Sequence, residues 1–389
     1  MCKNILTIGA YERDNFGDLL FFIILNKALQ GTGFNIIPGS VVYSDMRNTL
    51  GEIVFPYDIL LNRYKWDAVW VVGGEMGSLD IENAMLMSLK KEHAKIYQEL
   101  DFEAREYIMH FLAGNNTSHL AYLPNIDDYE LNKNTRLLIN SVGGFELLDN
   151  RNTVLFDSTM KTLKSAAFIS VRNRQSHNFL NSYGIQNVLS PDIVHIIPLC
   201  FQDKDYDFFQ QQEEDYALFQ ISTSYFNEYP IEYISKKIYD IIKEYDYKIY
   251  LFAAGIASYH DDIEQYKDIK KYIHCNFNEE RVEIINERNP IALVNWIKHS
   301  KLWVGSSLHG RIISSAYSIP RVSLKMDKVS NYCELWDNLF PYNVALDNIV
   351  RSCEIAWSVD KKYADFQSKS LSEKAKTNLN SILDKIYEN

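Results

Sequence analysis

The sequence is poor in cysteine, in long apolar runs and in positive charge, and each shortage removes a class of function. Its five cysteines, Cys2, Cys200, Cys275, Cys333 and Cys353, are scattered through 389 residues without a Cys-x-x-Cys pair. An odd total with no such spacing suggests neither a disulfide framework nor a cysteine zinc site, and free thiols are expected. The longest apolar run, Leu19 to Leu25, falls far below the roughly 18 residues of a membrane span. The opening MCKNILTIGA lacks the basic, apolar and small-residue segments of a signal peptide and reads as a first strand. A cytoplasmic location is therefore expected, extending to the inner face of the membrane. A formal net charge of −11 argues against nucleic acid or an anionic membrane surface as the main partner. An anionic substrate would need a local cluster of cations. Neither Gly-x-Gly-x-x-Gly nor a P-loop occurs, which disfavours dinucleotide and P-loop nucleotide chemistry.

What is present is ordinary for a globular protein of about two domains, and the 47% hydrophobic content excludes disorder on a large scale. The runs KNILTIGA, DAVWVVGG, RLLINSVGG, AAFISVR and NVLSPDIV are short, apolar and end in turn or charged residues. Strands buried on both faces look like this. Helical patterns such as Asp14 to Gln30 and Asp157 to Ser165 lie between them, so a parallel sheet with flanking helices is expected. The polar stretch Leu199 to Asp215 reads as a link, after which YALFQIS, YKIYLFAAG, RVEIINE, KLWVGSS and RVSLKM alternate with further helices. The expected fold class is α/β, with two Rossmann-like parallel-sheet domains facing a cleft, as in glycosyltransferase B. The expected domains are 1–198 on the acceptor side, with a helical insertion at about 78–133, and 216–350 on the donor side. Residues 351–389 are expected to form a C-terminal helix packing back on the N-terminal domain.

Four stretches carry candidate chemistry. In GAYERDNFGDLLF, Asn15 and Asp18 have the spacing of a helix cap, and Gly17 allows close backbone approach. The loop can hold an anion or a sugar hydroxyl, or simply cap a buried helix. In WVVGGEMG, Gly74 and Glu75 follow a buried strand at the edge where open α/β sheets bind ligands, and Glu75 can orient an acceptor hydroxyl or lie on the surface. NSVGGFE, Asn140 to Glu146, has the same shape. In FISVRNRQSHNFLNSYGIQNVLSPDIV, Arg172 and Arg174 can fork onto a phosphate or carboxylate, or neutralise a neighbouring carboxylate. There Ser176 reads as a cap, His177 as a surface residue, and Pro191 with Asp192 as a turn.

The fourth stretch, GSSLHGRIISSAYSIPRVSLKMDK, follows an apolar strand. Ser306 or Ser307 can cap a helix whose Ile312, Ile313 and Ala316 follow His309 at i+3, i+4 and i+7. His309 then sits in the first turn, where the positive helix end favours a neutral imidazole able to take or relay a proton. Gly310 lets a ligand near the backbone, and Arg311, Lys325 and Lys328 supply local positive charge. Taken alone, such a histidine more often packs than reacts.

Together these stretches resemble the polysaccharide pyruvyl transferase family. They appear in order as NFGD (Asn15 to Asp18), VVGG (Val71 to Gly74), SVRNRQS (Ser170 to Ser176), PD (Pro191, Asp192), SLHG (Ser307 to Gly310), SIP (Ser318 to Pro320) and Lys328. The resemblance implies transfer of the enolpyruvyl unit of phosphoenolpyruvate to two hydroxyls of a sugar as a ketal, in exopolysaccharide, capsule or cell-wall glycan biosynthesis. It implies His309 as catalytic residue, donor contacts from Arg172, Arg174, Arg311, Lys328, Ser307 and Gly310, and acceptor contacts from Asn15, Gly17, Asp18, Gly74 and Glu75. The partners it implies are phosphoenolpyruvate as co-substrate and a sugar or lipid-linked oligosaccharide acceptor, with no metal and no other cofactor; it leaves room for peripheral membrane association and for oligomers. Two positions depart from the family pattern: Ser307 stands where an arginine is expected two residues before the histidine, and Asn173 replaces an aspartate. The same fold also accommodates a glycosyltransferase using a nucleotide sugar, or a saccharide-binding protein without chemistry.

Overall fold

The computed structural model describes residues 2–114, 119–207, 209, 214–258 and 260–388. The chain forms two compact units. One holds the residues through Asp14, Asp18–Ile193 and the chain from Lys374; the other holds Asn15–Gly17 and Val194–Glu373.

The first unit is built on an eight-stranded sheet of β1 (Lys3–Ile8), β2 (Phe34–Ser40), β3 (Ser44–Met46), β4 (Glu52–Pro56), β5 (Ala68–Val72), β6 (Arg136–Val142), β7 (Phe168–Val171) and β8 (Val188–Leu189). The order is β3-β4-β2-β1-β5-β6-β7-β8, parallel except for the β3–β4 pair. All five residues of β5 are buried, as the unbroken AVWVV run requires of a strand covered on both faces. The strands β2 to β4 lie outside the expected set, because Asn35, Pro38 and Gly39 interrupt the apolar pattern. Pro38 is tolerated opposite Thr7, whose hydroxyl donates to Ile37 O at 3.1 Å.

The segment at about 78–133 carries helices Ile81–Ser88, Lys91–Glu99 and Phe102–Ala113 and two short 3₁₀ turns; its residues 115–118 lie outside the described set. The helix Lys361–Tyr387 belongs to this first unit from Lys374 onward. There Asn378 donates to Asn140 Oδ1 and Ser170 Oγ, and Lys3 donates to Ile386 O.

The second unit has a five-stranded, all-parallel sheet of β9 (Tyr216–Gln220), β10 (Lys248–Leu251), β11 (Val282–Ile284), β12 (Leu302–Gly305) and β13 (Arg321–Ser323), in the order β11-β10-β9-β12-β13. Helix Ile231–Tyr245 shows why the pattern was readable: Ile234, Ile238, Ile241 and Ile242 share one face and are all buried. Each such side chain contributes about 1.5–3 kcal/mol on burial. Asp246, in the left-handed region, ends the helix. Of the expected link Leu199 to Asp215, residues 208 and 210–213 lie outside the described set. Among the described residues, no helix is long and apolar enough to cross a membrane.

Candidate active site

In the second sheet the chain winds from β9 outward through β10 and β11, then returns to β12 and β13 on the other side. That reversal opens a crevice at the carboxyl ends of β9 and β12, where ligands of open α/β sheets bind. Gln220 ends β9, and Ser306 and Ser307 follow β12. Ser307 is the N-cap of helix Leu308–Ala316: its hydroxyl accepts from Gly310 N at 3.2 Å. The position where an arginine was expected is thus spent on starting the helix that carries His309. His309 is the second residue of that helix and is 8% exposed.

Asn15 and Gly17, expected on the acceptor side in the first domain, belong to the second unit and lie beside His309. A Cβ built on Gly17 would overlap the His309 ring, with even His309 Cβ only 2.6 Å away. Asn15 sets this loop: its Oδ1 accepts from Gly17 N at 3.2 Å, its Nδ2 donates to His260 Nε2 at 3.2 Å, and Phe16 N donates to Ala254 O at 3.0 Å. Glycine at 17 is therefore demanded by the imidazole packed on it.

Two expectations for the helix Leu308–Ala316 are corrected. Arg311, expected to bind a donor anion, is fully buried, because all nine residues of this helix are buried rather than one face. Its guanidinium is used up inside the protein, donating to Asp337 Oδ2 (2.6 Å), Ser323 Oγ (3.3 Å) and the carbonyls of Pro341, Asp337 and Phe340. Gly310 was expected to admit a ligand, but the space beside it holds Trp303, whose Cε2 would lie 2.6 Å from an added Cβ. Lys328, the second residue of helix Asp327–Trp336, is exposed.

Sequence reasoning missed Gln220, His260 and Asp261. The signal was a polar residue closing the apolar run ALFQ and an adjacent His-Asp pair in the loop between β10 and the next helix. Asp261 is 8% exposed; its two oxygens accept from Gln220 Nε2 at 2.9 Å and Ala254 N at 2.7 Å. Burial pushes its carboxyl up to about 7, against the pull of those hydrogen bonds and of the Arg288 and Lys328 charges. Below about pH 4 the group is protonated in folded and unfolded chain alike; from there to about 7 only the folded chain keeps the proton, so stability from this group falls as pH rises through that window. Thermal unfolding between pH 4.5 and 8 should show the wild type's margin over Asp261→Asn shrinking toward pH 7 and constant above it; a margin that grows with pH would refute this.

The first unit gathers a different set. Arg172, 3% exposed, donates to Asp192 Oδ2 at 2.8 Å and Glu75 Oε2 at 2.7 Å. Glu75 keeps partial solvent access, and Gly143 makes room for it, since a Cβ there would lie 2.7 Å from Glu75 Oε2. Gly74, at φ 86°, turns the chain so that Gly77 N and Gly74 O can bond Gly143. Asn173 caps helix Arg174–Ser182 by accepting from Ser176 N at 2.7 Å, a task that an aspartate would do equally. Ser176, expected as a cap, instead donates to Glu146 Oε2 at 2.5 Å. Arg174 is exposed, and His177 is held by Asn187 and Asn181. Asp18 lies 3.7 Å from Arg13, which with buried Glu12 and Tyr122 forms a network at the end of β1 that the sequence did not reveal. Burial pushes the Glu12 carboxyl up, while Arg13 and Tyr122 pull it down. Among the described residues no three His, Cys, Asp or Glu side chains gather as a metal would need.

Solved structures similar in shape are distant in sequence. UDP-GlcNAc 2-epimerase of Methanocaldococcus jannaschii, in complex with UDP-GlcNAc and UDP, superposes with a TM-score of 0.53 at 12% identity, over 92% of this chain and 93% of that one. UDP-GlcNAc 2-epimerase of Neisseria meningitidis gives 0.54 at 11% identity over 99% and 100%, and a glycosyltransferase of Rickettsia africae gives 0.51 at 13% identity over 100% and 99%. These likenesses show the fold alone, and it is the two-domain, glycosyltransferase-B-like α/β fold expected from the sequence. No curated protein matches the chain. The family model for polysaccharide pyruvyl transferase matches residues 15–327, from the Asn15 loop beside His309 to the start of the helix that carries Lys328, and the chain belongs to that family.

Proposed function

We propose that this chain transfers the enolpyruvyl unit of phosphoenolpyruvate to two hydroxyls of a sugar as a ketal, with His309 as its acid–base residue. The observation that carries the reading is the placement of His309: first helical turn, carboxyl edge of β12, glycine against its ring. General acid–base catalysis needs an imidazole held in one place near its substrate. A proton goes to the methylene carbon of the donor, leaving an oxocarbenium-like centre at the carbon bearing carboxylate and phosphate. One sugar hydroxyl adds there and loses its proton; the second then adds as phosphate leaves and loses its own. His309 supplies the first proton or removes one from an attacking hydroxyl.

Lys328 and the amides at the helix start favour the departing anion. Arg311 has no part in this scheme. In the first unit, Arg172 holds Glu75 in place, and Glu75, Gly74 and Asp18 are proposed to serve the acceptor.

The test is phosphate release from phosphoenolpyruvate with galactose-, glucose- and mannose-containing acceptors. His309→Ala should lose about 10²–10⁴ in kcat. Full retention of turnover would remove His309 from the chemistry, and turnover of nucleotide sugars without any of phosphoenolpyruvate would replace the reaction by glycosyl transfer.

A further inference from the structure

Two adjacent residues after β10, His260 and Asp261, connect toward His309 by two separate hydrogen-bonded routes, one through Gln220 and one through Asn15. We propose that they are the positioning residues of the site: Asp261 fixes the start of the His309 helix through Gln220, and His260 fixes Gly17 against the His309 ring through Asn15. The proposal rests on the reading of His309 given above.

The Asp261 branch has one possible polarity. Ser306 N and Ser307 N both point at Gln220, at 2.8 and 2.7 Å, and two backbone donors can be met only by its carbonyl oxygen. The Gln220 nitrogen therefore faces Asp261 Oδ1, at 2.9 Å, while Asp261 Oδ2 takes Ala254 N at 2.7 Å. Ser306 Oγ adds a bond to Gln220 Oε1 and accepts from Ser222 N. The carboxyl ends of β9, β10 and β12 are thereby tied into the turn that launches Leu308–Ala316. Gln220 is 2% exposed, so this tie is shielded from water.

The His260 branch also runs one way. His260 Nδ1 lies 3.0 Å from Ser258 O, so that nitrogen carries the hydrogen and Nε2 accepts. Nε2 takes the Asn15 amide at 3.2 Å, which turns Asn15 Oδ1 toward Gly17 N. Thr223 Oγ1 donates to His260 O, and the Asn15–Gly255 bridge braces the same loop.

Because each chain has a fixed direction, conservative changes are informative. In Asp261→Asn the new amide can accept from only one of its two donors, so a donor meets a donor. In Gln220→Glu the two serine amides stay bonded, but the second oxygen faces Asp261, and the two carboxyls must share a proton.

The experiment measures phosphate release for Asp261→Asn, Gln220→Glu and His260→Ala, alone and combined with His309→Ala, with circular dichroism to show that each variant is folded. Each single variant should lose about tenfold to a hundredfold in kcat with little change in KM, the effect of a displaced catalytic group. Gln220→Glu should recover as pH is lowered, and none should cost anything further once His309 is gone. Losses that multiply in the His309→Ala background would overturn the proposal. A second readout needs no substrate: in protein labelled with ¹³C-histidine, the His309 signal, identified by its disappearance in His309→Ala, should move in all three variants. If it stays in place in all three, the proposal fails even where turnover falls; if it moves while wild type does not consume phosphoenolpyruvate, the positioning stands and the proposed reaction fails.

Discussion

Asp337→Asn is expected to destabilise the second unit by about 3–5 kcal/mol, the cost of breaking a buried ion pair by removing one partner. The carboxylate, 1% exposed, is gripped by two arginines that are themselves fully buried. Arg321 donates Nε and Nη2 to its two oxygens at 2.7 and 2.6 Å, and Arg311 donates Nε to Oδ2 at 2.6 Å. Burial alone would push the Asp337 carboxyl up, but the two guanidiniums outweigh it and hold it below the ordinary carboxylate range. Its contribution is therefore present above about pH 4 and lost as pH falls further. An asparagine keeps the shape and removes the charge, leaving two guanidiniums in the core with carbonyls as their main acceptors. Against a typical domain stability of about 5–15 kcal/mol, that loss is a large fraction. Urea unfolding followed by tryptophan fluorescence should show it, Trp303 and Trp296 both being in this unit. The apolar triple variant Arg311→Met/Arg321→Met/Asp337→Leu should recover much of the loss, since it removes the charges together. Arg311→Ala should likewise cost stability and leave KM for the donor unchanged in whatever folds. A raised KM without a stability change would return Arg311 to the donor site.

The sequence and the structure agree where one physical signal dominates, and part where two compete. Each of the ten apolar runs read as strands contains one, and the signal is plainest in β5, β9 and β12, which are buried throughout, whereas β8 and β11 are short and only partly covered. Strands β2 to β4 went unread because Pro38 and Gly39 break the run, and only the pairing with β1 shows why they fit. Arg311 was misread for a related reason. An arginine at a helix start near a histidine is a good anion ligand in an exposed turn, but this helix is buried on every side, and its partner Asp337 lies 26 residues on. Gln220 and Asp261 could not be paired from spacing either, since they join only when β9 and β10 lie side by side. What sequence did indicate was that Asn15, Gly17, Ser307, His309 and Gly310 occur in a familiar order. The contact of Gly17 with His309 gives that order a physical cause.

Gly17→Ala should leave the fold intact and lower turnover about a hundredfold, the scale expected when a catalytic group is displaced by about 1 Å. The residue lies in the first turn of the helix Phe16–Leu29 without a positive φ, so alanine suits the backbone and favours the helix by about 1 kcal/mol. The added methyl has nowhere to go but into the His309 ring, which must move. Gly310→Ala makes the instructive contrast. There the same methyl meets the indole of Trp303, a residue with no exposed surface, so the penalty falls on core packing and shows as a lowered melting temperature. One methyl group thus separates the roles of two glycines, one in NFGD and one in SLHG: at 310 it should be read in stability, at 17 in kcat. Normal kcat in a folded Gly17→Ala protein would mean that the His309 ring does its work from a different position, or does none, and the assignment of the acid–base residue would have to move elsewhere on the edge of β9 and β12.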